Sequence, residues 1–323
     1  MSKHAKPVIA VGGENLIDSM HSIDSDGVAQ VTHKIGGSPY NVAFALARQG
    51  QHTHYLTPVS TDEYGQQLAA NLEAENAILA GGRRDEPTTE AVVTLKEGIP
   101  EYVFHRDGTA ERCVTAGGLS AALSDDAVHF HAGSLAFAGI LDGAAWEVAF
   151  NEATARGMTT SFDPNIRAAL LEDPVAYHAR VIRLLKTATI VKLSDEDLEW
   201  IFPDLPLDNA MKALLGMTGA KLIALTKGPD GAEGWTPSLH CAVENPVIET
   251  FVDSVGAGDT FMATLVAGLA DKGLLSVEAL ASITNDDLQS LLQRGVQAAC
   301  LNCAKEGCNP PTAGEIDQAL AIA

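Results

Sequence analysis

The chain has 323 residues and carries a formal net charge of −21 at pH 7. An acidic surface repels nucleic acid and anionic lipid headgroups, so neither is expected as a partner. Apolar and glycine contents are ordinary for a globular protein, and the length is enough for one large domain with its own core.

The N-terminus, MSKHAKPVIAVGG, holds no apolar run long enough for a secretory signal, and nowhere does an apolar run reach the roughly 18 residues of a membrane span. The expected location is the cytoplasm. Val8 to Val11 reads as a short buried strand ending at Gly12 and Gly13, and no G-x-G-x-x-G opens a helix after it. Ile35 ends another strand. The stretch GGSPYNVAFALARQG then sets up a helix, with Ser38 expected as N-cap, Pro39 at the first helical position and Gly50 just past the end. Asn41 stands out within the apolar run Val42 to Ala47, because a polar side chain one turn into a buried helix needs partners, and a polyhydroxylated ligand supplies them.

Tyr55 to Val59 reads as a strand and Asp62 to Ala74 as an amphipathic helix. Ala91 to Leu95, Glu101 to His105 and Glu111 to Thr115 are short alternating runs separated by turn residues, which predicts a small antiparallel meander. Val128 to Ala132 and Thr159 to Phe162 are core strands with a helix, Leu141 to Arg156, between them. His129 and His131 alternate on the first of these, a weak metal pair. The second runs into Asp163-Pro164-Asn165-Ile166-Arg167, polar residues at the strand end where α/β proteins bind ligands.

Ile190 to Leu193 is a strand that enters an acidic helix start, Ser194 to Asp197. Leu222 to Thr226 is a strand, and Thr226 to Gly231 a tight turn into Ala232 to Trp235. The last helices run from about Asp286 to Ala304 and from Gly314 to Ile322. Cys300, Cys303 and Cys308 invite a zinc reading, but a fourth ligand is missing and buried free cysteine is common on apolar helices. An odd total of 5 cysteines argues against a disulfide framework. The alternation of strands and helices predicts a mostly parallel sheet covered by helices.

The stretch DSVGAGDTFMATLVAGLA, Asp253 to Ala270, joins a glycine-rich turn to an apolar helix from Phe261 to Leu269. A helix that starts at such a turn points unpaired N–H groups and the positive end of its dipole outward, which makes an anion site. Gly256 and Gly258 let a phosphate approach closely. A carboxylate beside that hollow, Asp259, repels the ligand unless it has work to do, and taking a proton from a hydroxyl that attacks a phosphoryl group is such work.

This segment resembles the C-terminal signature of the ribokinase-like (phosphofructokinase-B type) sugar kinases, D-T-x-G-A-G-D, with Ser254 where the family usually has Thr. The GGSPYNVA segment resembles the family's N-terminal G-G-x-x-x-N-x-A signature, and the resemblance runs from Gly12 to Pro311. It implies an α/β fold, a three-layer sandwich with a mostly parallel central sheet and a small β-sheet lid, as one domain over residues 1–323 with lid segments at about 14–35 and 88–116. It implies ATP and Mg²⁺ as cofactors, Asp259 as catalytic base, and Gly256, Ala257 and Gly258 as the anion hole. The sugar would be held by Asp18, Gly36, Gly37, Asn41, Phe104, Arg106 and Asn165, with Arg167 facing the phosphoryl group. Thr226, Gly228 and Gly231, with Gly256, Gly258 and Asn302, would serve the nucleotide. Where the family has N-x-x-E this chain has Ser194 and Asp197, which keeps a carboxylate to order the waters of Mg²⁺. Asp253 and the carbonyl of Val255 are the counterparts of a K⁺ site.

The FHRDGTA and FDPNIR runs look most like fructokinases. A 2-keto-3-deoxygluconate kinase is the nearest rival, since Arg106 and Arg167 could pair with a substrate carboxylate. A nucleoside kinase, a sensor without turnover and an NAD-dependent oxidoreductase are the other readings. The expected partners are a small-molecule sugar and ATP, with a homodimer left open.

Overall fold

The computed structural model describes residues 6–23, 29–96, 99–247 and 250–322. Strand β1 (Val8–Gly12) is buried along its whole length. Ile9 and Val11 enter one apolar cluster while Val8 and Ala10 enter another, so both faces are covered, as a parallel sheet between two helical layers requires. After it come β2 (Leu16–Ile23), β3 (Ala29–Gly36), α1 (Ser38–Arg48), β4 (His52–Tyr55), β5 (Val59–Ser60), α2 (Glu63–Ala74), β6 (Ile78–Leu79) and β7 (Arg83–Arg84). Next are β8 (Thr89–Lys96), β9 (Ile99–His105), α3 (Ala116–Ala122), β10 (Ala127–Gly133), α4 (Leu141–Ala155) and β11 (Thr159–Asp163). Then follow α5 (Pro174–Thr187), β12 (Ile190–Ser194), α6 (Asp195–Ile201), α7 (Leu207–Met217) and β13 (Leu222–Thr226). The chain finishes with β14 (Ala232–Trp235), β15 (His240–Val243), α8 (Ala257–Asp271), α9 (Val277–Leu280), α10 (Asn285–Cys303) and α11 (Ala313–Leu320).

Among the described residues the main sheet has the order β15-β14-β13-β12-β11-β10-β1-β4-β6. Every pairing from β6 to β13 is parallel, and β14 and β15 close that edge as an antiparallel hairpin. Helices α1, α2, α8 and α10 pack on one face and α3 to α7 on the other, which completes the three layers expected of the sequence. None of these helices is long and apolar enough to cross a membrane.

A second sheet of order β3-β2-β8-β9 forms the lid. The sequence predicts an antiparallel meander there, but the central pair β2 and β8 is parallel, flanked by antiparallel partners. The two strands run in the same direction, with Leu16 opposite Thr89, and pair side by side. Two other boundaries differ from expectation. Glu111 to Thr115 is not a strand: Ala110–Arg112 is a 3-10 turn that buries Glu111, and Thr115 caps α3 by accepting from the N–H of Gly118 at 3.1 Å. The expected strand Tyr55 to Val59 stops at Tyr55, because Thr57 turns its hydroxyl into Gly13 and Pro58 has no N–H for a ladder. Val59 and Ser60 pair instead with β7.

Candidate active site

Helix α8 begins on a left-handed residue, Gly256 with φ of 74°. A Cβ at this position would also lie 2.5 Å from the Cys308 sulfur, so both conformation and space demand glycine. The first N–H groups of the helix, at Gly258 and Asp259, have no carbonyl of their own helix to meet. The turn is braced from below. Asn302, fully buried, donates to the Val255 carbonyl at 2.7 Å and accepts from the N–H of Asn309 at 2.8 Å. Asp253 accepts from Val255 at 2.9 Å and from Gly307 at 2.8 Å. The sequence points Asn302 at a nucleotide, but with no exposed surface it acts as a strut beneath the turn. Asp253 and Val255 belong to the same knot of hydrogen bonds.

Asp259 is the third residue of this helix and 7% exposed. Its Oδ1 accepts from the Ser38 hydroxyl at 2.6 Å and its Oδ2 from the Asn41 amide at 2.8 Å. Burial raises its pKa, and these two donors, then the charges of Lys192 and Arg167, pull it back. The buried Asn41 thus finds an acid as its partner. The expected cap at Ser38 moves by one position: Gly37, with φ of 105°, is the N-cap and Ser38 opens the helix. A Cβ on Gly37 would meet the Glu14 carbonyl at 2.4 Å, so only glycine lets the chain enter α1 here. The Ser38 hydroxyl is thereby freed for Asp259, and the carboxylate of Glu14 takes over the end of the helix by accepting from the Ser38 N–H at 3.1 Å. Glu14 is 2% exposed, and burial pushes its pKa up to about 7 against the pull of Arg106. Asp18 lies alongside: its Oδ2 occupies space 2.6 Å from where a Cβ of Gly36 would stand. Burial raises its pKa, opposed by Lys34.

The other wall comes from β11 and β12. Lys192, 4% exposed, donates to Asp163 at 2.9 Å, and its Nζ lies 3.0 Å from where a Cβ on Gly258 would be. Burial works against the lysine's charge, yet the carboxylates of Asp163 and Asp197 raise its pKa, while burial pushes Asp163 up to about 6 against the pull of Lys192. Asn165 adopts a left-handed φ of 38°, and its N–H is held by Asp163 at 3.2 Å. Asp197 forms a capping box with Ser194 and accepts from the N–H of Ile166 at 2.7 Å, so its oxygens shape the loop that carries Asn165 and Arg167. Arg167 is exposed and contributes its charge toward Asp259.

Two further groups of expected residues are held by partners of their own. Arg106 is committed to Glu111 by contacts of 2.7 and 3.2 Å and to the Leu135 carbonyl at 3.0 Å. With Phe104 it lines a cavity of about 290 Å³ between β9 and the 3-10 turn Ala168–Leu170. Thr226 ends β13 opposite Ser194, and Gly228 and Gly231 sit at φ of 52° and 90° in the turn that follows. A Cβ on Gly231 would strike the Val243 carbonyl at 2.1 Å.

Sequence reasoning passed over Lys192, Glu14 and the Ser38 hydroxyl. A lysine inside the apolar strand Ile190–Ser194 was a readable signal, because a buried ammonium needs a counter-ion. His129 and His131 lie in the core, hydrogen-bonded to Thr159 and Ser161 of β11, and burial pushes both down to about 3, so they are neutral. Cys300 and Cys303 pack on α10, and Cys308 packs against Gly256; all are free thiols.

The family model described as pfkB family carbohydrate kinase matches residues 15–313. A fructokinase of Rhizobium leguminosarum bv. trifolii is 35% identical over 279 residues, covering 86% of this chain and 84% of that protein. Fructokinase-2 of Solanum habrochaites is 29% identical over 313 residues, covering 94% of this chain and 93% of that one. Among solved structures, a fructokinase of Xylella fastidiosa with bound ATP superposes with a TM-score of 0.88 at 24% identity, over 98% of this chain and 99% of that one.

Proposed function

Since the chain belongs to the pfkB family of carbohydrate kinases, we propose that it transfers the γ-phosphoryl group of ATP to a hydroxyl of fructose, with Asp259 as the base. The observation that carries this reading is the pair of hydrogen bonds from Ser38 and Asn41 to Asp259, which bring the N-terminal and C-terminal signatures to one carboxylate at the mouth of a helix. A sugar hydroxyl entering here exchanges with the Ser38 hydroxyl as donor to Oδ1. Asp18, Gly36, Gly37 and Asn41 offer the remaining polar contacts for the ring, with Asn165 across from them.

In the chemical step the hydroxyl proton moves to Asp259 while the sugar oxygen forms a bond to the γ-phosphorus. The bond from that phosphorus to the bridging oxygen breaks, and ADP leaves with the electron pair. The N–H groups of Gly256 and Gly258 and the Arg167 guanidinium face the charge that spreads over the transferred group, whereas the Ala257 N–H, expected to join them, is already given to the Ser254 carbonyl at 3.1 Å. Thr226, Gly228 and Gly231 are assigned to the nucleotide side, at the strand end next to Ser194. Bound together with ATP, Mg²⁺ would supply neutralisation of phosphate charge. Asp197 already accepts from Ser194 and Ile166, so we assign it the shaping of the loop and, at most, a hydrogen bond to a metal-bound water. A potassium ion at Asp253 and Val255 would share oxygens that already accept N–H groups, and no step above depends on one.

Fructose is chosen because both curated relatives above bear that name and because Arg106 is spent on Glu111, which leaves it little to offer the carboxylate of 2-keto-3-deoxygluconate. The test is ADP release from ATP across fructose, 2-keto-3-deoxygluconate and nucleosides. Fructose should give the highest kcat/KM; a preference for the keto-acid would select the rival, and no acceptor-dependent ADP at all would point to a binding protein without turnover.

A further inference from the structure

Phosphoryl transfer needs a base that is ionised when the sugar arrives, and this base is placed where ionisation is disfavoured. Asp259 is 7% exposed and stands near two more buried carboxylates, Asp163 at 1% and Asp197 at 5%. Burial raises the pKa of both Asp259 and Asp163, which favours holding a proton over accepting one. Lys192 is the buried cation among them. It is pinned by Asp163 at 2.9 Å, and the nearest atoms to a Cβ placed on Gly258 are its Nζ at 3.0 Å and its Cε at 3.9 Å. Apart from Gly258's own chain neighbours and helix backbone, no other described atom lies within 4 Å of that position. Two of the three N–H groups of the ammonium remain after the bond to Asp163, so its charge is only partly spent on that partner.

We infer that Lys192 is a positioning residue for phosphoryl transfer: its ammonium, held beneath Gly258 by Asp163, keeps Asp259 in the ionised form that takes the sugar's proton. The inference rests on the reading of Asp259 as base. The groups that face Asp259 are Lys192 from β12, Arg167 and Asp163 from the end of β11, Ser38 and Asn41 from α1, and the neutral Cys308 thiol from the segment after α10. Those that face Lys192 are Asp163, Asp197, Asp259 and the neutral His131. Arg167 is exposed and screened by solvent, whereas Lys192 is not, so the buried cation dominates.

The experiment is the pH profile of kcat/KM for fructose in Lys192→Met, Lys192→Arg and Asp163→Asn, each checked for folding by thermal melting. Loss of the cation in Lys192→Met should move the acid limb up by about one pH unit, the lower end of what a neighbouring charge does to a carboxylate. On that limb activity falls about tenfold and returns as the pH is raised, with KM for fructose changed by less than about threefold. Lys192→Arg should leave the limb in place. Asp163→Asn, whose amide oxygen still accepts from the ammonium and so keeps it in place while one acid is removed, should move it down. A purely structural role would give no displacement in opposite directions. A folded Lys192→Met with an unmoved limb overturns the inference; should that variant fail to fold, an unmoved or raised limb in Asp163→Asn does so. Asp259→Asn separates the two readings: if it keeps near-normal turnover, the base assignment itself fails, whereas its inactivity alongside unmoved limbs removes only the role of Lys192.

Discussion

Asp259→Asn keeps the shape of the site and removes its chemistry. An asparagine at this position can turn its carbonyl toward the Asn41 amide and its NH₂ toward the Ser38 hydroxyl, so the 2.8 and 2.6 Å contacts both survive with one donor reversed. What is lost is the ability to take a proton, worth about a hundredfold or more in turnover for a general base, or about 2.7 kcal/mol of transition-state stabilisation. Stability should move the other way. Because burial raises the pKa of Asp259 in the folded chain, its ionised form is disfavoured there, and neutralising it relieves the fold at pH 7. The variant should therefore melt at or above the wild-type temperature while kcat in a coupled ADP assay drops at least about a hundredfold, and calorimetry should still detect fructose and ATP binding. Turnover within about tenfold of wild type would refute the role as base. A sharp fall in melting temperature would show instead that the carboxylate is there to hold α1 against α8.

Three other outcomes are expected. Glu14 has a folded pKa raised from the ordinary 4.5 to about 7, so its share of stability is complete below about 4.5 and is lost as pH rises through 7. At pH 8 Glu14→Gln should accordingly be the more stable protein by up to about 3 kcal/mol in urea melts, with the difference vanishing near pH 4.5; an unchanged difference across that range would reject the assignment. Arg106→Ala strands Glu111, which is 2% exposed, and should destabilise by about 3–5 kcal/mol, a figure that a melt within about 1 kcal/mol of wild type would contradict. Gly256→Val forces a branched side chain into φ of 74° and into the Cys308 sulfur. It should cost about 1–3 kcal/mol and weaken ATP binding, and adding Cys308→Ala should return the packing part but not the backbone part.

How far the sequence could be read depended on how local the cause was. The parallel sheet, both signatures and the helix that follows the glycine turn each leave a pattern within a dozen or so residues, and each lies where that pattern puts it. The lid failed in detail because its central pairing joins Leu16 to Thr89, and a parallel register between distant strands leaves no mark in either one. Glu111 to Thr115 alternates like a strand, yet the demand of Arg106 for a buried counter-ion turns it into a 3-10 corner. Ser38 looks like a cap by composition, and only the approach of Glu14 to the helix end explains why it is released for Asp259. Asn302 is buried beneath the turn, a placement its spacing from the motif does not reveal, since a side chain's direction is fixed by its packing.

The charge of the whole molecule bears on why the site is built this way. A chain of net charge −21 presents a repulsive field to ATP at long range, and solvent ions screen that field within about 8–10 Å. Attraction therefore has to be supplied at contact and from sources that salt cannot reach. Backbone N–H groups fixed at a helix end supply attraction at contact, and the lysine beneath them is buried away from bulk water. The same burial that preserves the strength of these groups also raises the pKa of the acid among them. On the proposed reading, a hollow that holds phosphate suppresses its own base unless a cation stays close to the carboxylate, and Lys192 is the buried cation beside it.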